Sequence, residues 1–566
     1  MLNNGPYLLG IDYGTESCRV AIFDLAGRPL TFAATPYKTT HPRPGWAEQD
    51  PEEWWKALQA SCHRAIAAAG ISPAAIAGIS YDATTLTMVA MDERGNELRP
   101  AMMWMDVRAT EQAARAENSD SVARLYNGAG VSPATAEWYP FKAAWLREHE
   151  PETYRRAAHL VDAPDWVTFK LTGEWTTNIN SAAIRMYYNR DKGGWPEDFY
   201  ETIGCDDVFD KIPGRVLDLG TPVGTLGTIP AQLLGLRPGI PVAQGLGDAW
   251  AGQIGLGVLA PGSMALITGS SHVLTGQSDT EIHGEGFFGA YSDAVMPGQY
   301  TVEGSQVSTG SVLKWFKDNF AADYTAAAEK IGLNPYDVLN EQSRNIRPGS
   351  DGLIINEYFQ GNRTPYTDSK ARGIIWGLSL MHTPAHFYHA IQESVCYGTA
   401  HNLRAMKAAG FEVDRMVACG GATKSRDWIQ MHADVPGVPI VLTEFGDAVV
   451  LGTCMVAAVG AGLFKDLPEA ATQMVHEIDF IEPDQERHEE YQYYVDKYCD
   501  TYPQLCPMIH DMVDHEADKT DDHTDQRRSN VRIDLQSVGR LRRHGRRGHG
   551  PQRARGNRAR LQGTLR

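Results

Sequence analysis

The chain contains neither Gly-x-x-x-x-Gly-Lys-Ser/Thr nor a strand running into Gly-x-Gly-x-x-Gly, which removes the two commonest phosphate-binding loops. No run of apolar residues is long enough to span a bilayer, so no membrane partner is expected. The opening Met-Leu-Asn-Asn-Gly-Pro lacks a basic region and an apolar stretch, which reads as no secretory signal and a cytoplasmic protein. Eight cysteines, at 18, 62, 205, 396, 419, 454, 499 and 506, are scattered without a Cys-x-x-Cys pair. They read as reduced, mostly buried thiols rather than a zinc site. Basic excess is missing too: the net charge of −18 speaks against nucleic acid as a partner of the body of the protein.

What is present is a chain of 566 residues, 43% hydrophobic and 22% charged, ordinary for a well-packed globular protein but too long for one core. Residues 10–17, Gly-Ile-Asp-Tyr-Gly-Thr-Glu-Ser, lie between two apolar runs and read as two strands joined by a tight turn. In that turn Gly14 lets backbone approach an anion, Thr15 and Ser17 offer donors, and Asp12 can hold magnesium through water. An ordinary hairpin, with Asp and Gly only making the turn, explains the same eight residues equally well.

Strand and helix patterns alternate from there. A helix is expected over 51–69, strands over 76–82 and 86–92, helices over 141–149 and 164–171, and a strand leading into a helix through Gly245-Leu-Gly-Asp248. A second apolar strand ends in Thr268-Gly-Ser-Ser271 and echoes the opening hairpin, which suggests two lobes of related fold. Pro/Gly punctuation near 255–262 places an N-terminal lobe at 1–258 and a C-terminal lobe at 259–516. The second continues with helices near 311–320, 384–409 and 425–434, a strand at 416–419 and a small-residue helix at 448–461, read as core packing. Residues 517–566 become rich in arginine and poor in large apolar residues, and read as a disordered tail or as out-of-frame translation, dispensable for activity.

Four separated elements, Asp12-Tyr-Gly-Thr-Glu-Ser17, Gly245-Leu-Gly-Asp248, Thr268-Gly-Ser-Ser271 and Cys419-Gly-Gly-Ala-Thr-Lys-Ser425, together resemble the FGGY carbohydrate kinases of the sugar kinase/Hsp70/actin superfamily. Tyr139–His149 and Gly373–Glu393 are similar to the two signature regions of that family, with Gln392 where an apolar residue is usual. Ala418–Val435 and Gly361–Asp368 most resemble the ribulokinase branch, while Pro44-Gly-Trp-Ala-Glu-Gln-Asp50 is equally at home among xylulokinases. The resemblance covers roughly 7–515.

It implies an α/β protein of two actin-like, ribonuclease H-like lobes with the active site in the cleft between them, using ATP and Mg2+. Asp248 is then the base that takes a hydroxyl proton; the bland reading is a helix cap. Asp12 orients magnesium, while Gly14, Thr15 and Ser17 on one side and Thr268, Gly269 and Ser270 on the other contact phosphates. Gly420, Gly421 and Ala422 approach adenine and ribose, with Gly310 a weaker nucleotide candidate. The sugar falls to Asp82, Asp106, Arg185, Glu303 and Gln306. Turn formation for Asp82, an ion pair with Arg108 for Asp106 and a surface salt bridge for Arg185 are the bland readings. The activity implied is ATP-dependent phosphorylation of a primary hydroxyl of ribulose or xylulose. A polyol such as ribitol, erythritol or glycerol is the alternative acceptor, and a chaperone-like or regulatory ATPase of the same fold the alternative class. A small-molecule sugar or polyol is the partner expected, with a homodimer left open.

Overall fold

In the computed structural model, which describes residues 5–527, the body is built on two seven-stranded sheets. In the first, the strands Pro29–Pro36, Ser17–Phe23 and Tyr7–Tyr13 form an antiparallel meander, and Ile76–Ala83 joins Tyr7–Tyr13 in parallel. Pro241–Ala243 continues in parallel and Pro222–Thr225 closes the sheet antiparallel, with Leu246–Gly247 also on Ile76–Ala83. The second sheet repeats this order. Tyr300–Gln306, His272–Ser278 and Gly262–Thr268 form the meander, Val413–Gly420 and Ile440–Thr443 follow in parallel, and Glu477–Ile481 closes antiparallel. Phe288–Ser292 extends it beyond Tyr300–Gln306. Two sheets of one topology are the two lobes of the expected actin-like fold, and the short echo between Asp12–Ser17 and Thr268–Ser271 proves to be a real repeat.

Local chemistry explains the helices. Pro51–Ala69 opens on a proline in its first turn, with the Asp50 carboxylate accepting from Glu52 N–H. It ends where Gly70 adopts φ 61°, a left-handed stop that an unbranched backbone takes freely. Trp54, Trp55, Leu58, Cys62 and Ala65 are its buried stripe, packed under the first sheet.

The helix Ala448–Gly460 comes from the second half of the chain but lies on the first sheet. A Cβ on Gly10 would stand 2.9 Å from Cys454 Sγ, one on Gly78 2.7 Å from the Ala457 carbonyl oxygen, and one on Gly460 2.3 Å from Ala243 Cβ. The same helix crosses Asp248–Gly255 at glycines on both sides: a Cβ on Gly452 would come within 1.9 Å of Ala251 O, and one on Gly255 within 1.8 Å of Ala448 O. Main chain thus rests on main chain where the two halves of the chain meet, and close packing is the reason for the small residues.

The chain separates into a body, Met1–Pro507, and a second unit, Met508–Arg566. Backbone of the final helix, Gln485–Arg527, continues past residue 517, so the expected disorder does not begin there; the rest of that tail, 528–566, lies outside the described residues. Six of the eight cysteines, at 18, 62, 205, 396, 419 and 454, are buried thiols outside any disulfide. Among the described residues no helix is long and apolar enough to cross a membrane.

Candidate active site

Strand register collects three acids at one end of the first sheet. Asp12 stands opposite Asp82 on the neighbouring parallel strand, and Leu246 and Gly247 pair with Asp82 and Ala83, which leaves Asp248 just beyond the strand tip. Gly247 is required there because a Cβ would meet Thr85 Cγ2 at 2.3 Å. Its N–H donates to Asn180 Oδ1 at 3.1 Å. Asp248 is the first helical residue rather than the cap, which is Gly247, and its Oδ1 accepts from Ala249 N–H at 2.8 Å. Desolvation, with the Asp12 charge next in weight, pushes the Asp248 carboxyl up to about 7. Burial drives Asp82 well above the ordinary carboxylate range, and Asp12 adds to the effect. Thr453, carried by the crossing helix, donates to Asp82 Oδ2, while Asp82 Oδ1 is buried without a partner.

Asp12 is held from the other side. Arg19, its register partner on the hairpin, donates from Nε to Asp12 Oδ2 at 2.7 Å and from Nη1 to Asp447 Oδ1 at 2.9 Å. Asp447 belongs to the second half of the chain, so one guanidinium ties the acid cluster to the other lobe.

A second polar constellation surrounds Arg185, the last residue of the helix Ile179–Arg185. It is only 7% exposed, which overturns the reading of a surface salt bridge. Its Nη2 donates to Glu303 Oε2 at 2.5 Å and its Nη1 to Tyr291 Oη at 2.7 Å. The guanidinium lies 5.0 Å from the ring centre of Trp138 and 5.6 Å from that of Trp250. Two buried donors here have no protein partner, Arg185 Nε and Trp250 Nε1. Unpaired buried N–H groups between aromatic faces are what a polyhydroxy ligand requires, a flat apolar wall with hydrogen-bond partners at its rim.

Two members of the expected sugar set stand apart. Glu303 and Gln306 are three residues apart on one strand and therefore face opposite sides of the sheet. The Gln306 amide donates to Glu357 Oε1 (3.0 Å) and Val395 O (2.9 Å) and accepts from Thr399 Oγ1 (3.0 Å), which places it in the core of the second lobe. Asp106 is fully buried, Oδ1 accepting from Arg108 N–H (3.0 Å) and Nε (2.8 Å), Oδ2 from Ala47 N–H (2.7 Å) and Arg108 Nη2 (2.7 Å). With four donors it has no capacity left for a sugar hydroxyl, and the local ion pair is the reading its geometry supports.

In the second lobe the Thr268 hydroxyl is also spent internally, donating to Cys419 O at 2.6 Å and accepting from Ala422 N–H at 3.0 Å. It binds the two strand-end turns into one piece. Gly420 has φ 91° and a Cβ there would lie 1.9 Å from Thr268 O, whereas Gly421 faces open space. Gly269 and Ser270 are clamped on the start of the helix Gly310–Phe320: Gly310 N–H donates to Gly269 O (3.2 Å), Ser311 N–H to Ser270 O (3.2 Å). Gly310 is needed for that contact, since a Cβ would stand 2.4 Å from Gly269 O. On the first lobe, Thr15 Oγ1 accepts from Trp104 Nε1 at 3.1 Å, and Gly14 N–H donates to Ser17 O at 3.1 Å.

Several partners escaped the sequence reading. Arg19 stands opposite Asp12 because the hairpin pairs Tyr13 with Cys18, one residue beyond the register that the strand lengths alone suggest. Trp138 and Trp250 flank quoted motifs and carried no signal of their own, while Asp447 and Thr453 reach the acids only through the long-range crossing of two helices.

Comparisons with known proteins identify the family. The N-terminal domain model of the FGGY family of carbohydrate kinases matches residues 7–255 and its C-terminal domain model residues 264–461. The chain belongs to the FGGY family, and it is a carbohydrate kinase. It is 29% identical over 506 residues to a ribulokinase of Anoxybacillus flavithermus, covering 83% of this chain and 89% of the other. A xylulose kinase of Staphylococcus epidermidis is 27% identical, with 87% of this chain and 95% of that one covered. The crystal structure of xylulose kinase from Rhodospirillum rubrum superposes with a TM-score of 0.77 at 27% identity, covering 89% of this chain and all of that one.

Proposed function

We propose that this kinase moves the γ-phosphoryl group of ATP to a primary hydroxyl of a ketopentose, ribulose or xylulose, in the presence of magnesium. One observation supports the reading above the others: a carboxyl pushed up to about 7, Asp248, stands among the acids at the sheet tip, while Arg185 Nε and Trp250 Nε1 remain buried and unpaired near Glu303. An acceptor held by the Arg185–Glu303 pair against Trp138 and Trp250 would present its hydroxyl to Asp248, which takes the proton as the new O–P bond forms.

The carboxylate oxygens of Asp12 and the unpartnered Asp82 Oδ1 are hard donors of the kind magnesium takes, directly or through water. Bound there, the ion would neutralise charge on the transferring phosphoryl group. Arg19 orients Asp12 in either case, donating from both Nε and Nη2 to the one oxygen Oδ2 and leaving Oδ1 free of it. The turn at 14–17 and the glycines at 269, 420 and 421 offer close backbone approach to phosphates and nucleoside, and Thr268 and Gly310 serve by holding those turns in shape.

The test is ADP release measured across ketopentoses, pentitols, tetritols and glycerol. Saturable stimulation by ribulose or xylulose at least tenfold above any polyol is expected; a preference for glycerol or a tetritol would move the assignment to a polyol kinase. Failure of every acceptor would sink the proposal.

A further inference from the structure

The segment Pro44–Asp50 was the one conspicuous motif left without a role, and the structure places its Gln49 directly behind the turn at 14–16. Gln49 is 2% exposed. Its Nε2 donates to Thr15 O at 2.7 Å and to Thr39 Oγ1 at 2.7 Å, and its Oε1 accepts from Trp54 Nε1 at 2.7 Å. An indole N–H can only donate and a peptide carbonyl can only accept, so with Trp54 on one side and Thr15 on the other the amide has a single workable orientation. A carboxylate could satisfy Trp54 but would face the Thr15 carbonyl with a second acceptor.

The consequence lies on the opposite edge of the same peptide. In a trans peptide the C=O and the following N–H point in opposite directions. Pinning Thr15 O against Gln49 therefore turns Glu16 N–H away from the core. Tyr37 does the same one peptide earlier, its hydroxyl donating to Gly14 O, which turns Thr15 N–H outward. Burial pushes the Tyr37 hydroxyl well above its ordinary range, so it remains a donor. Among the described residues neither Thr15 N–H nor Glu16 N–H donates to a protein acceptor. Two consecutive outward N–H groups form a concave anion seat.

We infer that Gln49, with Tyr37 beside it, is a positioning residue that holds the 14–16 turn in the form that presents Thr15 and Glu16 N–H to the terminal phosphates of the nucleotide. The inference rests on the proposed phosphate role of that turn. Gln49→Glu keeps size and the Trp54 bond but sets an acceptor against the Thr15 carbonyl; Tyr37→Phe removes only the donor to Gly14. Calorimetric titration with ATP, ADP and adenosine, each with magnesium, reads the effect. ATP affinity is expected to fall about tenfold or more in Gln49→Glu, ADP affinity less, and adenosine affinity and sugar KM not at all, with the same ranking and a smaller drop in Tyr37→Phe.

Equal losses for all three ligands, or unchanged ATP affinity with only a lower Tm, would overturn it. Gly14→Ala separates the two layers of argument, because its methyl group would lie 3.7 Å from Ser17 O and 3.8 Å from Asp12 Oδ1 and fits the folded protein. If that variant loses ATP affinity while Gln49→Glu and Tyr37→Phe do not, the positioning role is wrong and the turn still grips phosphate. If none of the three loses ATP affinity, the phosphate role of the turn falls and this inference with it.

Discussion

Asp248→Asn should strip the protein of most of its turnover and, above neutral pH, make it more stable. A carboxyl near 3.9 in the unfolded chain is pushed up to about 7 in the folded one. The sign follows from linkage: a group whose folded value is raised leaves stability intact below the unfolded value and removes it progressively as pH rises through the folded value. The full effect is about 4 kcal/mol, reduced to about 2–4 kcal/mol because the side chain is not fully closed off from the cleft. Asparagine carries no such penalty. Melting of wild type and variant without nucleotide at pH 5, 6, 7 and 8 should show a Tm difference that is small at pH 5, grows to several degrees by pH 8 and then levels. Turnover of the variant should fall by about 10²–10⁴-fold, the contribution of a positioned base. A Tm difference independent of pH, or an asparagine variant less stable at pH 8, would refute the argument that burial, helped by the Asp12 charge, penalises the ionised Asp248 carboxylate.

Other substitutions probe separate parts of the site. Arg185→Met should destabilise by about 3–5 kcal/mol by leaving Glu303 buried and unpaired, and Arg185→Met with Glu303→Gln should recover much of the Tm but not the sugar KM, since the Arg185 Nε donor is gone. Gln306→Leu should lower Tm through the lost bonds to Glu357 and Thr399 while leaving sugar KM unchanged; a selective rise in sugar KM would return Gln306 to the substrate set. Gly452→Ala should give little folded protein, because its methyl would meet Ala251 O at 1.9 Å; Gly421→Ala, with open space beside it, should fold normally and raise KM for ATP.

Legibility in the sequence followed the range of the interaction. The helix Pro51–Ala69 was readable to its ends because its signals, a proline, an aspartate cap and a glycine stop, are local. Asp12, Asp248 and the glycine turns stand out as candidates because each lies in a short motif with its own chemistry. The members of the proposed sugar set are harder to read, since they meet only after folding. Arg185 and Glu303 come together from residues 118 positions apart in the chain. Gln306 lies close to Glu303 in sequence, but the two-residue period of a strand sends the two side chains to opposite faces. Asp106 was misplaced because a motif shows that an acid is present but not that Arg108 and Ala47 already occupy both its oxygens.

The repeat between the lobes shows how one scaffold serves two purposes. Each opening hairpin has two seven-residue strands and a three-residue turn, so Asp12 corresponds to Ile267, Tyr13 to Thr268 and Gly14 to Gly269. The parallel partner of Asp12 is Asp82, and that of Ile267 is Cys419. At equivalent positions the first lobe therefore carries a pair of acids and the second a pair of neutral, apolar side chains. A polyphosphate between two acidic turns would be repelled from both sides. In the proposed site, acids on one lobe only would give a cation one seat, and the other lobe would meet the phosphates without an opposing carboxylate. Placing an acid at Ile267 tests this asymmetry. Ile267→Asp should weaken ATP binding more than adenosine binding, most strongly at low ionic strength, where the added charge is least screened. An equal loss for both ligands would mean that Ile267 matters for packing and not for charge.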